Sequence, residues 1–308
     1  MKKNFGFIMA ITALVVLPLS SGSAFASKAP VSTYTVEGDL STPGAYTSST
    51  TGDLWTLLEG TVPGGGIGGG IYSDNVENSV EGDFVLVTGR NGSSALYAVG
   101  ELDTKFAPAN AVTITLDKRG GYDLAGEGRT IDGVSDIHVV HAVPVIKNGT
   151  YFFSSRLVVS GTGIAPQTYN LAGLQAMEPE TYTNTSGATW TGPTLLSLLK
   201  ASGVDTKVMN SYVVVSATDG YATVLSMYEV THKTGAQYDL IAISASDGEL
   251  NEGPWTSPTK GLNQNDNGFA RLVIPGDKGA GRWVSNVDQI VVLRVPYNWV
   301  WEAQAPEK

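Results

Sequence analysis

The same order of features occurs twice along this chain. In each copy an apolar, alternating run is followed by a glycine and then by a glutamate. Gly92 and Gly220 are 128 residues apart, and the same separation holds for Glu101 and Glu229. A repeat at constant spacing indicates one structural unit that is present in two copies. We therefore predict an internal duplication, which restricts the fold to two versions of a single architecture.

Other landmarks extend the repeat and locate an insertion. The leucine-rich segment 54–60 corresponds to 195–203, and Arg129 corresponds to Arg282 at the larger separation of 153 residues. The separation grows because the second copy contains extra residues, which we place within 247–268.

Strand-like segments set the ends of the two copies. We match Tyr34–Gly38 to Tyr169–Gly173, since each begins with tyrosine and ends with glycine. The predicted domains are therefore 32–145 and 151–295, and a C-terminal tail follows at 296–308.

Most apolar segments are short and alternate with polar residues, which is typical of strands. Phe84–Thr88 and Ala95–Val99, separated by a turn that contains glycine, predict a hairpin. Leu54–Leu58 predicts one short helix, capped by Thr51 or Asp53. Strands joined by short helices indicate an α+β fold with strand-rich, mixed sheets.

The first 26 residues have the pattern of a secretory signal peptide. Lys2 and Lys3 precede an apolar run, Phe5–Leu19, and Ala24–Ala26 supplies the small residues that precede signal cleavage. We expect a Sec-type signal at residues 1–26 and an exported protein, periplasmic or extracellular.

Charge and cysteine content exclude several classes of protein. The formal net charge is −10, so nucleic acids and anionic membranes would repel the chain. The sequence contains no cysteine, which excludes disulfides, thiolate metal ligands and thiol nucleophiles. No stretch after the signal reaches about 18 consecutive apolar residues, the length of a membrane span. We predict neither nucleic acid nor membrane as a partner, and the sequence identifies no protein partner.

The histidines do not indicate a metal site. His138 and His141 are three residues apart on a predicted strand, so their side chains point to opposite faces. His232 follows Glu229 by three residues, but two ligands do not hold an ion. The acidic segment 247–268 lacks the regular ligand spacing of a calcium loop. No catalytic triad is recognisable, and we predict neither a metal site nor catalytic residues.

A charged loop rich in glycine lies between two apolar segments of the second copy. Three glycines allow backbone N–H groups to face outward, and Lys278 and Arg282 place positive charge at the same point. Such a loop can bind an anion. The alternatives are a tight loop with two solvated cations, or a loop that is braced by pairing Arg282 with Asp277 or Asp288.

Three segments of the second copy resemble the molybdopterin-binding domain of the sulfite oxidase family. They are the helix-like segment 195–204, the strand and turn 216–221, and the charged loop with its flanks, 273–284. The resemblance covers about 169–295 and reaches the first copy through the duplication. It implies an α+β fold in which these loops converge on one pocket, and an oxidoreductase that holds its metal through molybdopterin.

The resemblance places ligand contacts around the charged loop. Lys278 and Arg282 would contact an anion, Arg282 through a bidentate pair, and Trp283 would stack on a flat ligand. Trp283 is alternatively a core residue, and Asp219 an ordinary turn residue before Gly220. The candidate ligand-binding residues are Asp219, Tyr221, Gly276, Lys278, Gly279, Arg282, Trp283 and Asn286.

The chain departs from the catalytic members of that family. Their metal is held by a cysteine thiolate as well as by the pterin, and this sequence has no cysteine. They are also exported folded around the cofactor, whereas a Sec-type signal implies export of an unfolded chain. We therefore predict a non-redox binding protein for a small anionic or pterin-like ligand. The alternatives are a molybdenum or tungsten pterin oxidoreductase without thiolate ligation, and a structural or partner-binding protein with a collapsed pocket.

Overall fold

The alternating apolar segments form strands, which confirms the predicted α+β class with strand-rich mixed sheets and short helices. The predicted signal peptide, the segment 247–267 and the C-terminal tail lie outside the described residues. We call 33–142 the first half and 154–295 the second half. The computed structural model describes residues 33–42, 44–59, 70–72, 79–142, 154–232, 237–246 and 268–295.

The first half contains one large sheet, one smaller sheet and the short helix α1 (Leu54–Leu58). The helix begins where predicted, because the Asp53 carboxylate accepts a hydrogen bond from the Thr56 backbone N–H at 2.8 Å. Two 3-10 turns cover Ser79–Gly82 and Val99–Glu101. The strands are β1 (Tyr34–Gly38), β2 (Tyr46–Ser48), β3 (Gly52–Asp53), β4 (Asp83–Gly89), β5 (Ser94–Ala98), β6 (Val112–Leu116), β7 (Tyr122–Gly126), β8 (Arg129–Ile131) and β9 (Val134–His141).

The second half has the helices α2 (Leu171–Gln175), α3 (Leu195–Ala201) and α4 (Met227–Thr231), and a 3-10 turn at Ala280–Arg282. None of the helices in the described part of the chain has the length and apolar character needed to cross a membrane. The strands are β10 (Leu157–Gly161), β11 (Ile164–Tyr169), β12 (Pro179–Thr183), β13 (Thr189–Pro193), β14 (Ser211–Ala217), β15 (Ala222–Ser226), β16 (Leu240–Ala242), β17 (Ser244–Ala245), β18 (Arg271–Val273) and β19 (Val287–Arg294).

The large sheets of the two halves have the same strand order and the same strand directions. The order is β2-β1-β9-β4-β5 in the first half and β11-β10-β19-β14-β15 in the second. The pairs β1–β9 and β10–β19 are parallel, and the other pairs are antiparallel. The register shifts between Thr88 and Gly89 and, at the matching place, between Ser216 and Ala217. A bulge at the same position bends both sheets alike, so the halves share one sheet architecture.

The sequence match between Tyr34–Gly38 and Tyr169–Gly173 is wrong. Gly38 and Gly161 end the two strands that pair in parallel with β9 and β19 at corresponding positions. The counterpart of β1 is therefore β10, whereas Tyr169 ends β11 and precedes helix α2. The match failed because a tyrosine and a glycine at equal spacing occur by chance in strand-like segments, and only the pairing partner distinguishes them.

The two halves meet through the faces of their large sheets. On β4, Val85 and Val87 belong to the core of the first half, while Phe84 points to the other face. The ring centroid of Phe84 lies 4.6 Å from that of Tyr212, the residue at the same position of the second half. Contact between equivalent residues indicates a pseudo-two-fold arrangement. Beyond Pro30 the chain forms one compact unit. The shared core consists of Phe84, Leu96, Ala98, Val140, Val214, Val224 and Val295.

Two glycines provide a test of this equivalence. Gly38 and Gly161 have positive φ angles of 108° and 150°, and a Cβ on either would overlap the carbonyl oxygen of Val139 or Val292. We expect Gly38→Ala and Gly161→Ala each to lower the free energy of unfolding by about 1–3 kcal/mol, the cost of such backbone strain. Gly279→Ala, where a Cβ meets open space, is the control. Urea unfolding measures all three, and a loss confined to one of the two strands would contradict the equivalence.

Candidate ligand-binding site

A cavity of about 340 Å³ lies between the two halves, beside helix α4 and the 3-10 turn Ala280–Arg282. Residues of both halves contribute to its wall. Its wall combines charged groups with aromatic rings. The lining residues are Gly100, Glu101, Phe106, Ala107, Pro108, Glu127, Tyr228, Glu229, His232, Gly276, Asp277 and Arg282.

Arg282 is the charged centre of the cavity wall. It is only 2% exposed, and its guanidinium is held by two carboxylates. Nε and Nη2 donate to the two oxygens of Asp277 at 3.0 and 2.6 Å. Nη2 also lies 2.8 Å from Oε1 of Glu229 on helix α4. One buried cation is therefore paired with two buried anions, so its own charge is already compensated.

The first half carries an equivalent buried ion pair. Arg129 pairs with Glu101, which is the counterpart of Glu229 in the repeat. Arg129 also extends into the second half, where its Nη1 donates to the Ser226 hydroxyl at 3.3 Å. Its guanidinium carbon lies 4.4 Å from the ring centroid of Tyr228. Each half thus has an arginine–glutamate pair, and three of these four residues, Glu101, Glu229 and Arg282, line the cavity.

Arg282 crosses between the halves in the opposite direction. Gly100 of the first half lies against its side chain, and a Cβ there would overlap the aliphatic part of the arginine. The guanidinium carbon lies 5.7 Å from the ring centroid of Phe106, also in the first half. Arg129 reaches into the second half and Arg282 into the first, as expected where two equivalent surfaces pack together. These contacts stabilise the cavity wall.

The carboxylates around the cavity are shifted toward their protonated forms. Burial raises the pKa of Glu229, and the Arg282 guanidinium only partly offsets that effect. Burial raises the pKa of Asp277 against the same guanidinium. The pKa of Glu127 is raised by burial and then by the charge of Glu101. Desolvation and like charge therefore outweigh the stabilising effect of the two arginines.

Two buried atoms at the cavity have hydrogen-bonding capacity left. Within the described part of the chain, Nη1 of Arg282 and Oε2 of Glu229 have no hydrogen-bond partner. Both side chains are almost fully buried, at 2% and 4% exposure. An unmade hydrogen bond of this kind costs about 1–3 kcal/mol, so buried polar groups normally contact a partner, be it protein, water or ligand. Both residues line the cavity, where such a partner has room.

Of the loop residues predicted from the sequence, Arg282 and Gly276 line the cavity. The pairing of Arg282 with Asp277, an alternative that the sequence left open, is confirmed. Gly279 is exposed, and a Cβ at its position would meet open space. The loop thus contributes to the site mainly through one arginine and its own aspartate.

Lys278 and Asn286 act as cross-links in this structure. The ammonium group of Lys278 donates to the backbone oxygens of Thr104 at 3.3 Å and Ala107 at 2.5 Å, both in the first half. Asn286 is buried, and its Oδ1 accepts a hydrogen bond from the Ser154 backbone at 2.6 Å. Neither residue lines the cavity, so neither is positioned to contact a ligand there.

The remaining predicted residues lie in the core or in a turn. Trp283 is 9% exposed, its indole N–H donates to Ile274 at 3.2 Å, and its ring centroid lies 5.0 Å from that of Trp190. The core interpretation of Trp283 is therefore confirmed. Asp219 is exposed and accepts a hydrogen bond from the Tyr221 backbone at 2.9 Å, as in an ordinary turn. The structure does not bring these residues to the cavity.

Sequence reasoning missed the residues that the first half contributes. Glu101, Phe106 and Glu127 all line the cavity, as does Tyr228 of the second half. One signal was present: Glu101 and Glu229 keep the repeat separation, which is unusual for acidic residues unless they occupy equivalent places. The constant separation was taken only as evidence for the repeat, and the two glutamates were not predicted to bind a ligand.

Two histidine–carboxylate groups lie near the ends of β1 and β9. His141 Nδ1 is 2.5 Å from Oδ1 of the buried Asp83, and His138 Nδ1 is 3.2 Å from Oε1 of Glu37. The two histidines fall in separate groups, as their spacing predicted. Within each group the ligand-type atoms lie within 4.8 Å of one another; the groups are Glu37, Asp136 and His138, and Asp39, Asp83 and His141. The close ion-pair contacts explain these placements without an ion, and the absence of a metal site stays a prediction.

Comparisons with known proteins give little further information. No protein-family model matches the chain, and no curated protein matches it. One similar solved structure is the sulfane dehydrogenase SoxCD from Paracoccus pantotrophus, at 15% sequence identity and a TM-score of 0.35. The similarity covers 61% of this chain and 48% of that chain, so this chain spans about half of its length. A similarity this weak supports no conclusion about the site or its chemistry.

Proposed function

We propose that the protein is a non-redox binding protein whose ligand occupies the cavity between the two halves. The observation that carries this proposal is the pair of almost fully buried polar atoms in the wall of a 340 Å³ space, Nη1 of Arg282 and Oε2 of Glu229, which have no hydrogen-bond partner in the described part of the chain. Such groups are retained where something binds them, because leaving them unpaired is costly. In liquid water each molecule occupies about 30 Å³. The cavity is several times larger, so it has room for a small organic molecule.

We further propose that the cavity arose by tandem duplication. The matching strand order, the matching register shifts and the constant separation of Glu101 from Glu229 support this origin. After duplication, the two copies of one surface would pack on each other. Each copy would then contribute equivalent charged residues to the interface. A binding site at such an interface uses residues from both copies, in agreement with a cavity wall that contains residues of both halves.

The residues present do not fit molybdopterin, the cofactor that the sequence resemblance implies. Its phosphate and dithiolene are anionic, whereas the cavity wall carries the four carboxylates of Glu101, Glu127, Glu229 and Asp277. The one arginine in the described wall is already paired with two of them. The sequence has no cysteine to supply a thiolate. We therefore propose no redox step and infer that the chain is a distant relative of the sulfite oxidase family that binds a different ligand.

We also propose that the protein is exported. The charged, apolar and small-residue segments of residues 1–26 support a secretory signal. The expected location is the periplasm or the extracellular medium. N-terminal sequencing of the secreted form tests this, with Ser27 as the expected first residue.

A pair of matched tryptophan substitutions tests the binding role. Ala107 lies in the cavity wall, whereas Ala109, two residues further on, is exposed and outside it. We expect Ala107→Trp to abolish retention of a small molecule, because the indole occupies the cavity, and Ala109→Trp to leave retention unchanged. The measurement is mass spectrometry of the molecules released when protein from its natural host is denatured. Equal retention by both variants would contradict the proposal.

A further inference from the structure

The charges that face the cavity do not balance. Among its described lining residues, four are carboxylates, and Arg282 is the one arginine or lysine. Nδ1 of His232 donates a hydrogen bond to the Tyr228 carbonyl oxygen at 2.8 Å. Burial raises the pKa values of three of these carboxylates, and a bound cation would shift them back toward the ionised form. The wall therefore attracts cations and repels anions.

The pairings within the wall leave at least two carboxylates in surplus. Glu101 is paired with Arg129, which is not among the lining residues. Glu229 and Asp277 share the single charge of Arg282. Glu127 forms no ion pair within the described part of the chain and sits at the tip of the hairpin that joins β7 to β8. A bound cation would meet Glu127 and the uncommitted Oε2 of Glu229.

We propose that the ligand of this cavity is a small organic cation, a molecule that carries at least one protonated amine or guanidinium group. This inference rests on the proposed binding function and adds the chemical class of the ligand. The ammonium or guanidinium group donates to Oε2 of Glu229 and to the carboxylate of Glu127. Nη1 of Arg282 donates to an uncharged oxygen or nitrogen elsewhere on the same molecule.

The size and the apolar part of the wall favour an organic cation over an inorganic one. A single metal ion would leave most of the 340 Å³ to water. The ring of Phe106 and the prolyl ring of Pro108 offer apolar contacts for a hydrocarbon chain. The rings of Tyr228 and His232, which also line the cavity, are stacked with their centroids 3.8 Å apart.

Three probes with a four-carbon chain distinguish the effect of the ligand's charge on binding from the effect of its size. They are 1,4-diaminobutane, 1,4-butanediol and succinate, titrated by calorimetry into the dialysed full-length protein at about 150 mM salt, where charges beyond roughly 8 Å are screened. We expect the diamine to bind at least about tenfold more tightly than the diol, as charge-assisted hydrogen bonds are stronger than neutral ones, and succinate to bind most weakly. Tighter binding of succinate than of the diamine would overturn the inference.

Two substitutions test whether the diamine binds in the cavity or on the acidic surface of the protein. Glu127→Gln removes a carboxylate from the wall, and we expect it to weaken diamine binding by about tenfold. Glu178→Gln removes an exposed carboxylate outside the wall and should leave binding unchanged. Equal weakening by both variants, or no effect of Glu127→Gln and Ala107→Trp, would mean that the diamine binds the general surface, which overturns the inference.

The same titrations distinguish failure of this inference from failure of the proposed function. Binding of succinate or of the diol that Ala107→Trp abolishes would leave the cavity as a ligand site and refute only the charge class. No binding of any probe, together with no small molecule released from protein of the natural host, would refute both.

Discussion

Replacing Arg282 with methionine should lower the free energy of unfolding by about 3–5 kcal/mol, the usual cost of removing one partner from a buried ion pair. The guanidinium is 2% exposed and lies within 3.0 Å of both Asp277 and Glu229. Methionine keeps much of the side-chain volume but leaves two buried carboxylates without a counter-charge. Each acid must then either stay charged without a counter-ion or take up a proton, and both outcomes destabilise the fold relative to the paired state.

Urea unfolding at pH 7 measures this loss, and two further variants show its cause. Arg119→Met removes an arginine whose side chain is 92% exposed, and it should change stability by no more than about 0.5 kcal/mol. The triple change Arg282→Met, Asp277→Asn and Glu229→Gln removes all three charges and should recover most of the stability. A loss below about 1 kcal/mol for Arg282→Met alone, close to an ordinary surface substitution, would show that the buried charges are not coupled as the structure indicates.

Stability should fall as the pH rises from about 4.5 to 8, because Glu81 holds its proton in the folded state. Burial raises the pKa of Glu81 from 4.5 to about 8, and Arg282 only partly opposes this effect. Below the lower value the group is protonated in both states, so its contribution to stability is fully present. As the pH rises, the unfolded chain releases the proton while the folded chain retains it, and the contribution is lost by about pH 8. A difference of about 3.5 pKa units corresponds to roughly 5 kcal/mol.

Glu81→Gln should flatten this pH dependence, because the amide cannot titrate. The side chain is 1% exposed, and in the described part of the chain neither carboxylate oxygen has a hydrogen-bond partner, so the neutral amide replaces a neutral carboxyl in a similar environment. Urea unfolding at pH 5 to 9 compares the wild type, Glu81→Gln and the exposed control Glu59→Gln. Burial also raises the pKa values of Glu229, Asp239 and Asp277, so some dependence of the same sign should persist. A slope unchanged by Glu81→Gln would contradict the assignment.

The fold was predictable from the sequence where local patterns dominate. The hairpin of β4 and β5 follows from alternating apolar residues around a glycine turn, and helix α1 from a capping aspartate before a leucine-rich turn. The repeat was visible because Gly92 and Glu101 recur at constant separation. The position of β10 was not predictable, since its assignment depends on a parallel partner that lies more than a hundred residues further on in β19.

The site was only partly predictable, because its chemistry depends on contacts between distant segments. The sequence identified Arg282 and offered Asp277 or Asp288 as its counter-ion, and the structure pairs it with Asp277, five residues away. It could not show that Glu229 supplies a second counter-ion or that carbonyl groups of the first half bind the ammonium of Lys278. A loop that resembles an anion site by composition therefore lies in an acidic environment, and the predicted preference for an anionic ligand is not favoured by the charges around it.

Native mass spectrometry of the protein purified from its natural host is the most direct test of a binding site between the halves. The expected spectrum shows the folded chain together with one small organic molecule, which is lost on denaturation and absent from Ala107→Trp. A folded chain with no bound mass, or with the mass of a molybdenum or tungsten pterin, would contradict the proposed function.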